Sequence, residues 1–249
     1  MNYVEKWCDD LKANAVLFDM DGTLTDSEPA WFDACNDTLM HYRKEKIERE
    51  AYNRDFVGVT VIENVAKMFP EFSADEMKEA ETRYKNEFEK RLDQVIMKEH
   101  VIEVLELVNR KQLKCGLVTN TPRHIVDKVL SDFGIREYFQ AIICEGDATR
   151  AKPFPDPVLK GCELLSVEPA ETILVEDSVA GVLAGKASGC FTIAVTSVDG
   201  KDRLKEAGAN VVLDDIGQLS GIIEDVSHAP QQTVTHAEEV TERRTHQTR

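Results

Sequence analysis

Two carboxylates one residue apart, Asp19 and Asp21, close the apolar run Val16-Leu17-Phe18 and are followed at once by Gly22 and Thr23. Carboxylates that close repel each other when ionised unless a cation lies between them. With a divalent cation, one can attack as a nucleophile while the other handles a proton. A bare Asp-x-Asp could equally be a turn bonding its own backbone; the buried run before it and the Gly-Thr after it favour chemistry. Three further groups carry suitable side chains. Thr119 and Asn120, in Val118-Thr119-Asn120-Thr121, could donate to phosphate oxygens, or simply cap a helix. Lys152 sits in a loop stiffened by Pro153, Pro155 and Pro157. It could neutralise both a carboxylate and a transferring phosphoryl group, where an ordinary lysine would be solvated. Glu176 and Asp177 are hard oxygen ligands suited to Mg²⁺. They also suit a helix N-terminus, and the two roles can coexist.

These groups need elements to hold them. The run over 16–18 reads as a buried parallel strand, with Gly22 allowing a sharp turn. Residues 31 to 98 then change character, with apolar residues at helical spacing and many Glu, Lys and Arg. Helices are expected from Trp31 to Tyr42 and over 61–69, 74–93 and 99–111, with Ser73-Ala74-Asp75-Glu76 as a capping box. From 113 onward short apolar runs alternate with helical segments: strands at 114–119, 141–144, 172–175, 191–195 and 210–213, with Pro122, Asp156-Pro157 and Ser178 opening helices. This rhythm predicts an α/β fold, a doubly wound parallel sheet. Asp19, Thr119, Lys152 and Glu176-Asp177 then follow successive strands, at the end where open α/β sheets place ligands. Residues 227–249 are polar and aperiodic, and disorder is expected there.

The 249 residues include 42% apolar ones, enough for a real core. The net charge of −16 argues against nucleic-acid and acidic-membrane partners, which need basic patches. Six cysteines (Cys8, Cys35, Cys115, Cys144, Cys162 and Cys190) form no CxxC pair and read as reduced thiols in a cytoplasmic protein. There is no signal-peptide pattern and no apolar run of membrane-spanning length.

Asp19-Met20-Asp21-Gly22-Thr23, Thr119-Asn120, Lys152 and Glu176-Asp177-Ser178, in that order over residues 14–225, resemble the haloacid dehalogenase-like hydrolase superfamily. The resemblance implies a Rossmann-like core over 1–30 and 99–226, and an inserted all-helical cap over 31–98. It implies a Mg²⁺-dependent phosphatase for a small phosphorylated metabolite, a sugar phosphate or phosphoglycolate. Asp19 would be the nucleophile and Asp21 the acid and base, while Thr119 and Lys152 bind phosphoryl oxygens. Mg²⁺ would be held by Asp19, the main-chain carbonyl of Asp21 and Asp177, with Glu176 direct or one step removed. Asn120, Glu28, Arg54, Gly58 and Arg123 are candidate substrate contacts, with the cap loop 54–60 facing the site. A monomer is expected. The alternative is a β-phosphoglucomutase-like isomerase. Against it stand Trp31 where that enzyme has histidine, Val61 where it has arginine, and Thr23 where it has valine. A non-catalytic binding protein on the same scaffold is the third reading, disfavoured because every key carboxylate is present.

Overall fold

The computed structural model describes residues 11–228. Six strands form one parallel sheet: β1 (Ala15–Phe18), β4 (Lys114–Val118), β5 (Ala141–Ile143), β6 (Thr172–Glu176), β7 (Phe191–Val195) and β8 (Val211–Leu213). Their spatial order is β5-β4-β1-β6-β7-β8. The chain winds outward from β1 through β4 to β5, then restarts beside β1 with β6 and winds the other way. The switch point lies between β1 and β6, where a crevice opens at the strands' carboxyl ends. In register, Phe18 lies beside Leu117 on one side and Val175 on the other.

Strand alternation explains why both faces of the sheet are covered. Val16 and Phe18 point into one core with α5 (Val101–Arg110), α6 (Arg123–Asp132) and α10 (Leu219–Asp225). Ala15 and Leu17 point to the other side, against α7 (Asp156–Leu165) and α8 (Val179–Ser188). α9 (Lys201–Ala207) joins β7 to β8.

Between β1 and β4 lies a helical insertion entered and left through one antiparallel ladder. Its strands are β2 (Thr25–Asp26) and β3 (Ile96–Met97), with Thr25 opposite Met97. The insertion consists of α1 (Glu28–Tyr42), α2 (Arg49–Asp55), α3 (Val61–Met68) and α4 (Ala74–Glu89). Ser73 and Glu76 form the expected capping box on α4, and Thr60 with Glu63 forms a second on α3. Trp31 on α1 stacks on Phe88 of α4 with centroids 3.6 Å apart, and meets Tyr84 edge-on at 5.6 Å.

The structure revises several expected bounds. α4 stops at Glu89 and is followed by a 3₁₀ turn at Leu92–Gln94, and α5 starts at Val101 because His100 adopts a left-handed conformation at φ 64°. The short α2 and the two-residue β2 and β3 were not expected from the sequence. Ser227, expected to begin a disordered tail, instead pairs with the start of the fold: Ala13 N donates to its carbonyl and its own N–H to Leu11 O. Residues 229–249 of that tail, and Cys8, lie outside the described residues. The other five cysteines are buried and unpaired by disulfides.

Candidate active site

The chain leaves β1 with Asp19, whose N–H donates to Val175 O at 2.9 Å, fixing it at the switch point. β6 ends in Glu176 and runs into Asp177 beside it. Asp19, Glu176 and Asp177 are all buried, and each can offer a carboxylate oxygen within 4.8 Å of the others. Lys152, from the loop after β5, enters from the side. Its ammonium donates to Asp19 Oδ1 at 2.6 Å, Glu176 Oε1 at 2.5 Å and Val118 O at 3.1 Å, so all three of its protons are used. The lysine predicted from a proline-stiffened loop is 2% exposed, not solvated.

One ammonium faces three carboxylates, and the electrostatics reflect that excess. Burial pushes the Asp19 carboxyl well above the usual range; Lys152 pulls it down, but Glu176, Asp177 and Asp21 add to the rise. Burial, then the charge of Glu176, pushes Asp177 up to about 7. For Lys152 burial acts against the charged form, yet Asp19 and Glu176 outweigh it and hold the ammonium protonated above the usual lysine range. A hard divalent cation is the group such a cluster fits.

Glu176 has little freedom to ligate directly. Its Oε2 accepts from Asp177 N at 3.0 Å and from Ser178 N and Oγ at 3.1 and 3.0 Å, while Oε1 holds Lys152. The Asp21 side chain lies outside the three-acid cluster. Its Oδ1 accepts from Ser27 Oγ at 2.5 Å and Trp31 Nε1 at 3.1 Å, and its Oδ2 from Thr121 Oγ1 at 2.5 Å. Three donors from the insertion and the core thus aim this carboxyl into the cavity, as a proton-handling group requires. Between the two aspartates' turn and Asp177, only glycine fits. Gly22 has φ +80°, and a Cβ there would come 2.0 Å from Asp177 Oδ2.

A cavity of about 380 Å³ opens over this cluster, between the sheet and the insertion. Asp19, Asp21, Thr119, Asn120, Lys152 and Asp177 line it on the core side, and Glu28 and Gly58 reach it from the insertion. Thr119 is 2% exposed and its Oγ1 accepts from Thr121 N at 3.2 Å. Gly58 presses on the core: a Cβ there would meet Ser178 Cβ at 2.8 Å, and its carbonyl accepts from Asn120 Nδ2 at 3.1 Å. The insertion is therefore closed over the core.

Two expected substrate contacts, Arg54 and Arg123, lie outside the cavity lining, whereas Asn120 is part of it. Asn120 is engaged in holding protein: besides Gly58, it donates to Lys152 O and accepts from Lys152 N, each at 3.1 Å. It staples the lysine loop to the insertion. Arg54 does not line the cavity; it lies in the last turn of α2, exposed and paired with Asp55 at 2.8 Å. Arg123 is also absent from the lining, donating to Ile142 O at 2.8 Å and pairing with Asp147. Glu28 is in place, but its charge is matched by Arg49 at 2.5 Å.

The sequence does not single out Ser27, Lys98 or Ser197, and it offers the Thr121 hydroxyl as a phosphate donor rather than as the partner of Asp21 that it is. Lys98 donates to Gly22 O, and Ser197 Oγ donates to Asp177 Oδ2. Ser197 follows β7, and the rule that ligand groups cluster after parallel strands could have found it. Lys98 lies in a polar run with no local signal.

Residues 16–195 match a family model described as haloacid dehalogenase-like hydrolase. The chain is 28% identical over 219 residues to Pyrophosphatase PpaX of Bacillus mycoides, covering 87% of this chain and all of that protein. It is 32% identical over 199 residues to a phosphorylated carbohydrates phosphatase of Thermotoga maritima, covering 78% of this chain and 91% of that one. The crystal structure of β-phosphoglucomutase from Clostridium difficile superposes with a TM-score of 0.76 at 24% identity, over 86% of this chain and 96% of that one.

Proposed function

This chain belongs to the haloacid dehalogenase-like hydrolases, and on that premise we propose that it is a Mg²⁺-dependent phosphatase acting on a small phosphorylated metabolite through a phosphoryl-Asp19 intermediate. The observation that carries the reading is the buried ammonium of Lys152 between Asp19 and Glu176, with Asp177 left in excess. Asp19, the main-chain carbonyl of Asp21 and Asp177 would hold Mg²⁺, which when bound offsets the negative charge of the phosphoryl group. Glu176, already saturated, orients Lys152.

Asp19 is the nucleophile. Its oxygen bonds to phosphorus as the ester P–O bond breaks, and the leaving oxygen takes the proton carried by Asp21. Asp21, now a carboxylate held by Ser27, Trp31 and Thr121, then takes a proton from water. The water oxygen attacks the phosphorus, Asp19 is released and inorganic phosphate departs. Lys152 and the Thr119 hydroxyl stabilise the charge on the phosphoryl oxygens, and positioning supplies most of the acceleration. Closure of the insertion keeps bulk water from the intermediate. The relative from Thermotoga maritima that is named for phosphorylated carbohydrates supports this substrate class. For a mutase, the phosphoryl group must return to a sugar. The Trp31 indole, which donates to Asp21 and stacks on Phe88, leaves nothing basic at that position to favour it.

Phosphate release from an ester panel tests the reading. Turnover is expected with Mg²⁺, absent in excess EDTA, and lost in Asp19→Asn. Full activity in that variant, or indifference to EDTA, refutes it.

A further inference from the structure

Two thiols meet at the end of the sheet remote from the acidic cluster. Cys162 lies on α7, and Cys190 directly precedes β7. Their sulfurs are 3.9 Å apart and buried, Cys162 2% and Cys190 6% exposed. Beside them is Thr172, the first residue of β6, whereas Glu176 and Asp177 stand at that strand's carboxyl end.

The hydrogen bonds around the pair have a direction. Thr172 Oγ1 donates at 2.9 Å to Glu168 O, a carbonyl that can only accept, so the hydroxyl proton is spent there. Thr172 Oγ1 therefore accepts from the Cys162 thiol at 3.6 Å, and the Cys162 sulfur is left to accept from Cys190. Of the two sulfurs, Cys162 is the one whose negative charge has a donor beside it. The bond from Cys190 lowers the Cys162 thiol from its ordinary value and raises Cys190. Burial instead pushes Cys35 and Cys144 up to about 12. The thiolate is the reactive form, so Cys162 is the nucleophile of the pair.

Packing decides which partner can move. A Cβ on Gly161, next to Cys162, would meet Leu17 Cδ1 at 3.1 Å and Val118 Cγ2 at 3.2 Å, so α7 is pressed against the sheet here. Cys190 follows Gly189, which ends α8 at φ +86°, and nothing lies within 4 Å of a Cβ placed there. The turn over 188–190 borders open space. It can swing the Cys190 sulfur from 3.9 Å to the roughly 2 Å of a covalent bond, and admit a small oxidant as it does so.

We propose that Cys162 and Cys190 are a modification site, oxidised by a hydroperoxide to an intramolecular disulfide. The Cys162 sulfur attacks one peroxide oxygen, the O–O bond breaks, and the thiol proton leaves with the other oxygen. Cys162 is then a sulfenic acid. The Cys190 sulfur attacks the Cys162 sulfur, the S–O bond breaks, and the hydroxyl departs with the Cys190 proton as water. The sulfurs together lose two electrons and the peroxide gains them. The new bond joins residues 28 apart and closes a loop that contains β6, Glu176, Asp177 and α8. It lies at the opposite end of β6 from the acids, so it ties down the fold without touching the site.

The test treats the full chain with hydrogen peroxide, alkylates it after denaturation and maps the peptides by mass spectrometry. A cross-linked Cys162–Cys190 peptide is expected, with the buried Cys35, Cys115 and Cys144 recovered as alkylated thiols. The oxidised protein should melt roughly 5–10 °C higher than the reduced one. Dithiothreitol should reverse that shift, and a Cys162→Ala, Cys190→Ala double variant should not show it. Cys190→Ser should trap Cys162 as the sulfenic acid, labelled by dimedone, while Cys162→Ser should leave Cys190 unlabelled. Recovery of both residues as alkylated thiols after peroxide would overturn the proposal, as would an unchanged melting temperature in the cross-linked protein. Dimedone on Cys190 alone would overturn the order of attack.

Discussion

Lys152→Met is the most informative single perturbation of the cluster. Methionine is close to the lysine stem in shape, so the change removes an ammonium and little else. That ammonium serves three acceptors, two of them buried carboxylates at 2.6 and 2.5 Å. Removing one partner of a buried ion pair costs about 3–5 kcal/mol, mostly from the stranded charge. A domain holds only about 5–15 kcal/mol in reserve, so the variant should fold but be marginal. Urea unfolding at pH 7 in a chelator reads this loss. The same titration with Mg²⁺ reads a second effect of known sign. With one positive charge fewer beside Asp19, Glu176 and Asp177, the variant attracts a divalent cation more strongly, so it should regain more stability than the wild type. A gain of about 2.7 kcal/mol corresponds to a cation concentration one hundred times its Kd. Turnover should fall by about 10²–10³, the usual consequence of losing one charge-stabilising donor. Stability within about 1 kcal/mol of the wild type in the chelator would refute the ion-pair reasoning. Equal Mg²⁺ gains in the two proteins would refute the charge-balance reasoning.

Other substitutions probe other parts of the site. Gly22→Ala should weaken Mg²⁺ binding in a calorimetric titration because the new Cβ displaces Asp177, and should destabilise by at least about 1–2 kcal/mol from the backbone alone; unchanged affinity would show that Asp177 does not ligate. Arg54→Ala should leave kcat/KM within about two-fold, since the side chain is in solvent and paired locally; a large loss would place it in the site after all. Lys85 on α4 bridges Glu81 at 2.5 Å and Glu145 of the core at 2.7 Å, and burial already pushes the Glu145 carboxyl up. Lys85→Ala should cost about 1–3 kcal/mol and speed hydrogen exchange in α4 as the insertion opens more often; exchange identical to wild type would show that this latch is idle.

The sheet was legible because its signals are local and strong. Val16-Leu17-Phe18 and Thr172-Ile173-Leu174-Val175 are continuous apolar runs, and chemistry-bearing residues follow them directly. Asp19, Lys152, Glu176 and Asp177 could therefore be placed together from order alone. What escaped was set by tertiary contact. β2 and β3 are too short to show periodicity, and each exists only because the other is opposite. Asn120 lines the cavity, and the bonds that tie it to Gly58 and Lys152 join segments distant in the sequence. Arg54 and Arg123 were chosen for their charge, yet Asp55 and Asp147 lie within reach and hold them elsewhere. Whether Glu176 meets a cation directly was left open by the sequence; the Asp177 and Ser178 N–H groups both donate to its Oε2, a local curl of the chain that the residue types do not announce.

The ladder between β2 and β3 places the points where the chain departs and returns side by side, with Thr25 opposite Met97. A unit joined at such a paired stem can be lengthened, shortened or exchanged for another without rethreading a single crossover of the sheet. The core that carries the acidic cluster and the insertion that walls the cavity above it are thereby free to diverge at different rates along one polypeptide.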